Sequence, residues 1–436
     1  MLKRKMYDEL ISWKKNKTRQ SLLITGARQV GKTTIVREFA KENYEFFAEL
    51  NFYENRTAIT TVNAATSSSD LFFRITALTD VQLVPGKSLV FLDEIQECED
   101  MITWAKFLEG QGIDYIFSGS LLGIDAYNIR SIPVGYLTTK EMYPLDYEEF
   151  CWACGVGDDV FDRIRECFDN RTPIPDFIHQ KMIELFYRYL LVGGMPDAVS
   201  EYVNTNDLTA VRSVQQSVYD LYLRDITKYM DSRFGARHAK TIYEAIPGQL
   251  SKENRRFVFS ELSEQLRFAH LQTAFDWLEH AGVVLPVNRI SEPKYPIGLA
   301  EVPGAFKLYM NDTGLLTSRL MGSVALDIIN RSSSINFGYV FENAVAQELK
   351  SQGFELFYYN TNRHGEIDFV TQDALGDVTL CEVKSGKDSR SHAALNNVLA
   401  IKNYSFKNVF VFHDGNVLIE GQLCYLPIYM VSLMRL

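Results

Sequence analysis

Residues 26–34 read GARQVGKTT, and this stretch decides the fold. Gly26, Gly31, Lys32 and Thr33 satisfy the pattern G-x-x-x-x-G-K-[ST], whose chemistry is phosphate binding. The two glycines let the chain curl so that backbone N–H groups face an anion at a helix N-terminus. The expected nucleotide-binding residues are therefore Gly26, Ala27, Arg28, Gln29, Val30, Gly31, Lys32, Thr33 and Thr34. The flanks agree. SLLIT (21–25) is a short apolar run suited to a buried strand, and KTTIVREFAKEN has helical spacing through Ile35, Val36 and Phe39. Lys32 is expected to neutralise phosphate charge, and Thr33 to offer its hydroxyl to Mg²⁺.

A phosphate loop needs a partner strand bearing acid. KSLVFLDEIQE (87–97) supplies a continuous apolar run, then Asp93 and Glu94. Such a run suits a parallel strand covered on both faces, whose carboxyl end is where ligands sit. Asp93 is the expected holder of Mg²⁺ through water, and Glu94 the general base. A third strand, IDYIFSGS (113–120), is expected between the other two, with the Ser118 hydroxyl near the terminal phosphate.

Together with FSGSLLGI, MYPLDYEEF, YLLVGGMPDAV, LYLRDITKY and KLYMNDTGLL, these segments resemble the bacterial and archaeal AAA+-type ATPases that carry a C-terminal domain of uncharacterised function. The resemblance implies an AAA+-like α/β fold, ATP rather than GTP, and a winged-helix segment after a helical lid. Many such proteins have an arginine after the glycine that precedes YPL. Here Gly135 is followed by Tyr136, so no arginine finger is carried over; Arg130 and Arg224 remain candidates, each equally well read as structural.

The chain has 436 residues, which predicts several domains, and a net charge of −10, which disfavours a protein that coats itself in nucleic acid. It holds no apolar run long enough to span a membrane, and its basic start lacks the apolar core of a signal peptide, so a cytoplasmic protein is expected. Cys151 and Cys154 match C-x-x-C. Without a second pair or a strand-to-helix turn they read, with Phe150, as an apolar helix face.

Domain limits are expected at 1–150 for the ATPase core, 151–237 for a helical lid, 238–318 for the winged-helix-like part and 336–436 for a carboxyl-terminal unit. In the lid, Gly193-Gly194 before Met195-Pro196 marks a turn between helices. The second helix of the winged-helix part, roughly 270–280, offers Gln272 but also Asp276 and Glu279, which favours protein packing over reading DNA bases.

In the last unit a helix (YVFENAVAQELKSQG) precedes FELFYYN, GEIDFVTQ and VTLCEVKSG, and DALGD offers a hairpin turn between the last two. Asp368 is expected to end its strand. Period-two alternation puts Glu382 and Lys384 on one face. An acid followed by E-x-K on the adjoining strand resembles the PD-(D/E)xK nuclease fold. That likeness gives Asp368 and Glu382 as Mg²⁺ ligands, Glu342 as an assisting one, and Lys384 as the group that orients water or neutralises phosphate charge. His364 reads as a surface residue.

Two functions follow. The first is an ATPase, with ATP and Mg²⁺ as cofactors, coupled to a nuclease-like domain that binds or cleaves DNA or RNA. The alternative is an ATP-dependent signalling switch whose nuclease-like domain is an inactive platform for protein contacts. The sequence is compatible with a protein partner and with self-association, and implies no membrane association.

Overall fold

The computed structural model describes residues 1–16, 20–98, 101–108, 112–119, 137–230, 233–262, 268–320, 328, 337–385 and 392–436. The chain divides into two compact units. One is built mainly of Lys3–Tyr143, the other of Pro144–Glu279 and Val283–Leu436.

The first unit holds a five-stranded parallel sheet made of β1 (Ser21–Thr25), β2 (Phe46–Asn51), β3 (Ser88–Asp93), β4 (Asp114–Ser118) and β5 (Leu137–Glu141). Their spatial order is β2-β3-β4-β1-β5. β1 and β3 are buried along their whole length, as continuous apolar runs in a covered parallel sheet must be. β4 lies between β3 and β1, so Ser118 and Asp93 end neighbouring strands. The helix Lys32–Asn43 starts directly after the phosphate loop and buries Ile35, Val36 and Phe39. A second core layer, including Leu50, Phe52, Val90, Leu92, Ile95 and Phe117, closes the other face.

The second unit begins with helices. Tyr147–Ala153 carries a capping box between Asp146 and Glu149. Phe150 and Cys151 are buried on it, Cys154 caps its end half-buried, and all six cysteines are free thiols. Helices Asp158–Asn170, Asp176–Val192, Pro196–Thr205, Leu208–Tyr229 and Arg233–Leu250 follow. Gly193-Gly194 does separate two of them. An added Cβ at Gly194 would sit 2.0 Å from the Leu145 carbonyl oxygen, so only glycine fits. The buried Asp312 carboxylate accepts the Gly194 N–H (2.5 Å) and the Leu315 N–H (2.9 Å), tying this turn to the start of helix Thr313–Ser318.

The unit's sheet has eight strands: β6 (Val284–Ile290), β7 (Glu301–Met310), β8 (Phe357–Thr361), β9 (Gly365–Gln372), β10 (Val378–Val383), β11 (Asn408–His413), β12 (Leu418–Glu420) and β13 (Leu423–Pro427). Their order is β12-β13-β11-β10-β9-β8-β6-β7. β9 and β10 pair antiparallel through the DALGD turn, as the sequence predicts. The β6–β7 hairpin, expected to stand in a winged-helix part, extends this same sheet, because β6 runs parallel to β8. Asp368 does not end its strand: it lies in the middle of β9. On helix Phe268–His280, Gln272, Asp276 and Glu279 are exposed while Leu271, Ala274, Phe275 and Leu278 are buried. The helix expected to precede it falls mostly outside the described residues, as do Arg130, Gly135 and Tyr136. Arg224 is exposed on helix Leu208–Tyr229. No helix among the described residues is long and apolar enough to cross a membrane.

Candidate functional sites

The phosphate loop leaves β1 at Gly26, whose φ is 136°. A Cβ there would lie 2.1 Å from the Met142 carbonyl oxygen. Gln29 and Gly31 also have left-handed backbone, with φ of 65° and 96°. Curling of this kind points successive N–H groups inward. Lys32 is buried at the start of its helix, and its ammonium donates to the carbonyls of Gly26 (2.9 Å) and Ala27 (2.8 Å). Burial pushes its pKa down to about 8, against the opposing pull of the Glu94 and Asp93 carboxylates.

Asp93 is the hub. Its Oδ2 accepts the Thr33 hydroxyl at 2.9 Å and the Asn51 amide at 3.0 Å. Its Oδ1 accepts the Ser118 hydroxyl and, at 3.1 Å, the Glu94 N–H. Burial raises the Asp93 pKa, and the Ser118 hydrogen bond works against that rise. Glu94 itself has left-handed backbone, φ 54°, which breaks the strand direction directly after Asp93. Its carboxylate accepts the Gln96 side-chain amide and lies 3.9 Å from Arg28.

The structure therefore brings together Thr33, Asp93, Glu94, Ser118 and the loop. It adds two residues that sequence reasoning missed. Asn51 ends β2 in register with Asp93, and Arg4 donates to the carbonyls of Val30 (2.9 Å) and Tyr143 (2.6 Å), bracing the loop from behind. A polar residue closing an apolar strand was a signal for Asn51. Arg4 had none.

In the second unit, helix Gly338–Ser351 supplies Glu342, β9 supplies Glu366 and Asp368, and β10 supplies Glu382, followed by Lys384. β7 contributes Lys307, which is 0 % exposed and was not foreseen. Its ammonium lies 2.6 Å from Glu366, 3.5 Å from Glu342 and 3.8 Å from Asp368. Burial opposes this charge, but Tyr309, Glu366 and Asp368 outweigh it and hold the pKa above the ordinary lysine value.

The carboxylates have other partners too, although Glu382 Oε2 is buried without a hydrogen-bond partner. Glu342 pairs with Arg255 and accepts the Tyr309 hydroxyl at 2.6 Å. Asp368 Oδ2 accepts the Val383 N–H at 2.8 Å, and Glu382 pairs with Lys384 at 2.9 Å. Burial, reinforced by the neighbouring Asp368 charge, pushes the Glu382 pKa well above the usual carboxylate range. His364 does not join this group; its Nδ1 bonds the Tyr359 hydroxyl at 2.8 Å. Among the described residues, no group of three or more His, Cys, Asp or Glu is arranged to hold a metal ion.

Residues 18–151 match the AAA domain family. The first unit is thus an ATPase-like P-loop domain. Two further families match, both described as domains of unknown function: DUF8612 over residues 183–324 and DUF4143 over residues 337–431. No curated protein matches the chain.

Among solved structures, a Walker-type ATPase of Pyrococcus abyssi is 13% identical, with 73% of this chain and 95% of that one covered and a TM-score of 0.43. The Aeropyrum pernix Orc1 protein in complex with DNA is 11% identical, with 74% and 90% covered and a TM-score of 0.29. The Thermotoga maritima RuvB Holliday junction branch migration motor is 13% identical, with 65% and 89% covered and a TM-score of 0.28. Likenesses this remote identify neither a substrate nor a partner for this chain.

Proposed function

We propose that this chain binds and hydrolyses ATP at the 26–34 loop and passes its nucleotide state to the second unit. The observation that carries the reading is the convergence of the Thr33 hydroxyl and the Asp93 carboxylate, 2.9 Å apart, beside the buried Lys32. Hydroxyl and carboxylate oxygens are the donors a hard cation prefers. Thr33 and Asp93 would hold Mg²⁺, and the ion when bound draws off charge that develops on the phosphates.

The chain's own groups do the rest. Backbone N–H groups of 27–34 and the Lys32 ammonium bind and orient the phosphates. Ser118 and Asn51 fix the Asp93 carboxylate. Glu94, turned by its left-handed backbone, takes the proton from the attacking water. Hydrolysis of ATP by the purified full chain tests this reading: Lys32→Ala must abolish it, and a wild-type protein with no turnover and no affinity for adenine nucleotides defeats it.

For the second unit, one reading is a nuclease-like domain that binds or cleaves nucleic acid through Asp368, Glu382 and Lys384. A specific observation favours the other reading, an inactive platform for protein contacts: Glu342, the expected assisting ligand, is taken up by Arg255 and Tyr309. Mg²⁺-dependent cleavage assays on single- and double-stranded DNA and RNA, with wild type and Glu382→Ala, separate the two. Cleavage by wild type that disappears in Glu382→Ala establishes the nuclease.

A further inference from the structure

The PD-(D/E)xK likeness calls for a divalent cation among Glu342, Asp368 and Glu382, and the residues present do not fit one. Mg²⁺ needs several oxygens converging on a single point at roughly 2.0–2.1 Å. Here the Lys307 ammonium lies within 3.8 Å of Glu342, Glu366 and Asp368. A buried ammonium must be paired, and these carboxylates pair it. Arg255 on Glu342 and Lys384 on Glu382 Oε1 take further oxygens, and the Val383 N–H takes one from Asp368. Glu382 Oε2 stays buried without a hydrogen-bond partner, and one carboxylate oxygen is too few to hold the ion. A divalent ion brought to the same oxygens would meet Lys307 as a like charge.

We infer that Lys307 is a built-in cation standing in the place of the metal, so that the acidic cluster of the second unit is complete without divalent ions. The lysine reaches the cluster from β7, which joins the sheet through β6 and β8. A hairpin outside the expected 336–436 unit thus supplies the positive charge that the nuclease likeness assigns to a metal. This deepens the platform reading: an ammonium cannot activate a water as a bound metal does, so the cluster serves structure or contact rather than phosphodiester cleavage.

Mn²⁺ binding to the full chain, followed by electron paramagnetic resonance without nucleotide, tests the inference. Wild type and Asp368→Asn are expected to bind Mn²⁺ alike. Lys307→Met removes the internal charge and is expected to gain about one Mn²⁺ per chain, lost again in Lys307→Met/Asp368→Asn. Circular dichroism and urea unfolding that matches wild type establish that the Lys307→Met protein is folded. Mn²⁺ bound by wild type and lost in Asp368→Asn overturns the inference, and so does a folded Lys307→Met protein that gains no ion. Should Lys307→Met not fold, the comparison of wild type with Asp368→Asn still decides. Loss of nucleotide affinity in wild type would defeat the ATPase reading and leave the Mn²⁺ outcome untouched.

Discussion

The Thr33 hydroxyl donates to Asp93 Oδ2 across 60 residues of sequence, joining the helix start after the phosphate loop to the tip of β3. Two residues that serve one ion should not contribute independently. Thr33→Ala and Asp93→Asn are each expected to lower ATP turnover by about 100-fold, and the double variant to be little worse than either alone. Turnover measured over a Mg²⁺ titration checks this; losses that multiply in the double variant would separate their roles.

Glu94→Gln keeps the shape and the hydrogen bond from Gln96 but removes the base. Nucleotide affinity should be unchanged while hydrolysis falls by about 100-fold or more, the usual reach of a general base. Single-turnover rates beside equilibrium binding distinguish this from a binding defect. Rapid hydrolysis by Glu94→Gln would take the residue out of its proposed role.

Burial leaves Lys32 with a pKa of about 8 in the nucleotide-free protein. A bound triphosphate would raise that value, so binding above pH 8 takes up a proton. Affinity is therefore full below pH 8 and falls above it, by as much as about tenfold per pH unit. Calorimetry of a non-hydrolysable ATP analogue in buffers of differing ionisation heat reads both the affinity and the proton. Lys32→Met should bind weakly with no such slope. A wild-type affinity that stays level to pH 9 would contradict the depressed lysine.

What the sequence made legible follows from how local each signal is. GARQVGKTT, the strand before it and Asp93-Glu94 are contiguous patterns whose geometry depends on near neighbours, and they occupy the places expected of them. The Ser118 strand lies between the other two, in the place expected for it. Asn51 and Arg4 escaped notice because their roles depend on register and on contacts far along the chain. The β6–β7 hairpin follows the expected winged-helix part's helices in sequence, whereas the β6–β8 pairing that settles its sheet bridges residues 288–359. Lys307 was hidden for a related reason. A lysine in FKLYM suggests a solvated strand face, and only the carboxylates delivered by one other strand and a helix make its burial tolerable.

Asp312 offers a test of how the second unit is held together. Burial pushes its pKa to about 6 from an ordinary 3.8, although the Gly194, Leu315 and Gly314 N–H groups favour its charge. Because the folded value lies above the unfolded one, the folded protein holds the proton more tightly. This group's contribution is most favourable below pH 3.8, declines as pH rises to 6, and is level beyond that. Two pKa units correspond to a loss of about 3 kcal/mol over the window. Asp312→Asn should abolish that slope, yet be less stable than wild type at pH 7 by about 1–3 kcal/mol, since its NH₂ must face either the Gly194 or the Leu315 N–H. Urea unfolding of both proteins at a series of pH values from 4 to 7 measures the difference. A gap between them that does not change with pH would mean that Asp312 carries its charge in the fold at no cost, and no gap at any pH would mean that the Gly194 turn is held by packing rather than by this carboxylate.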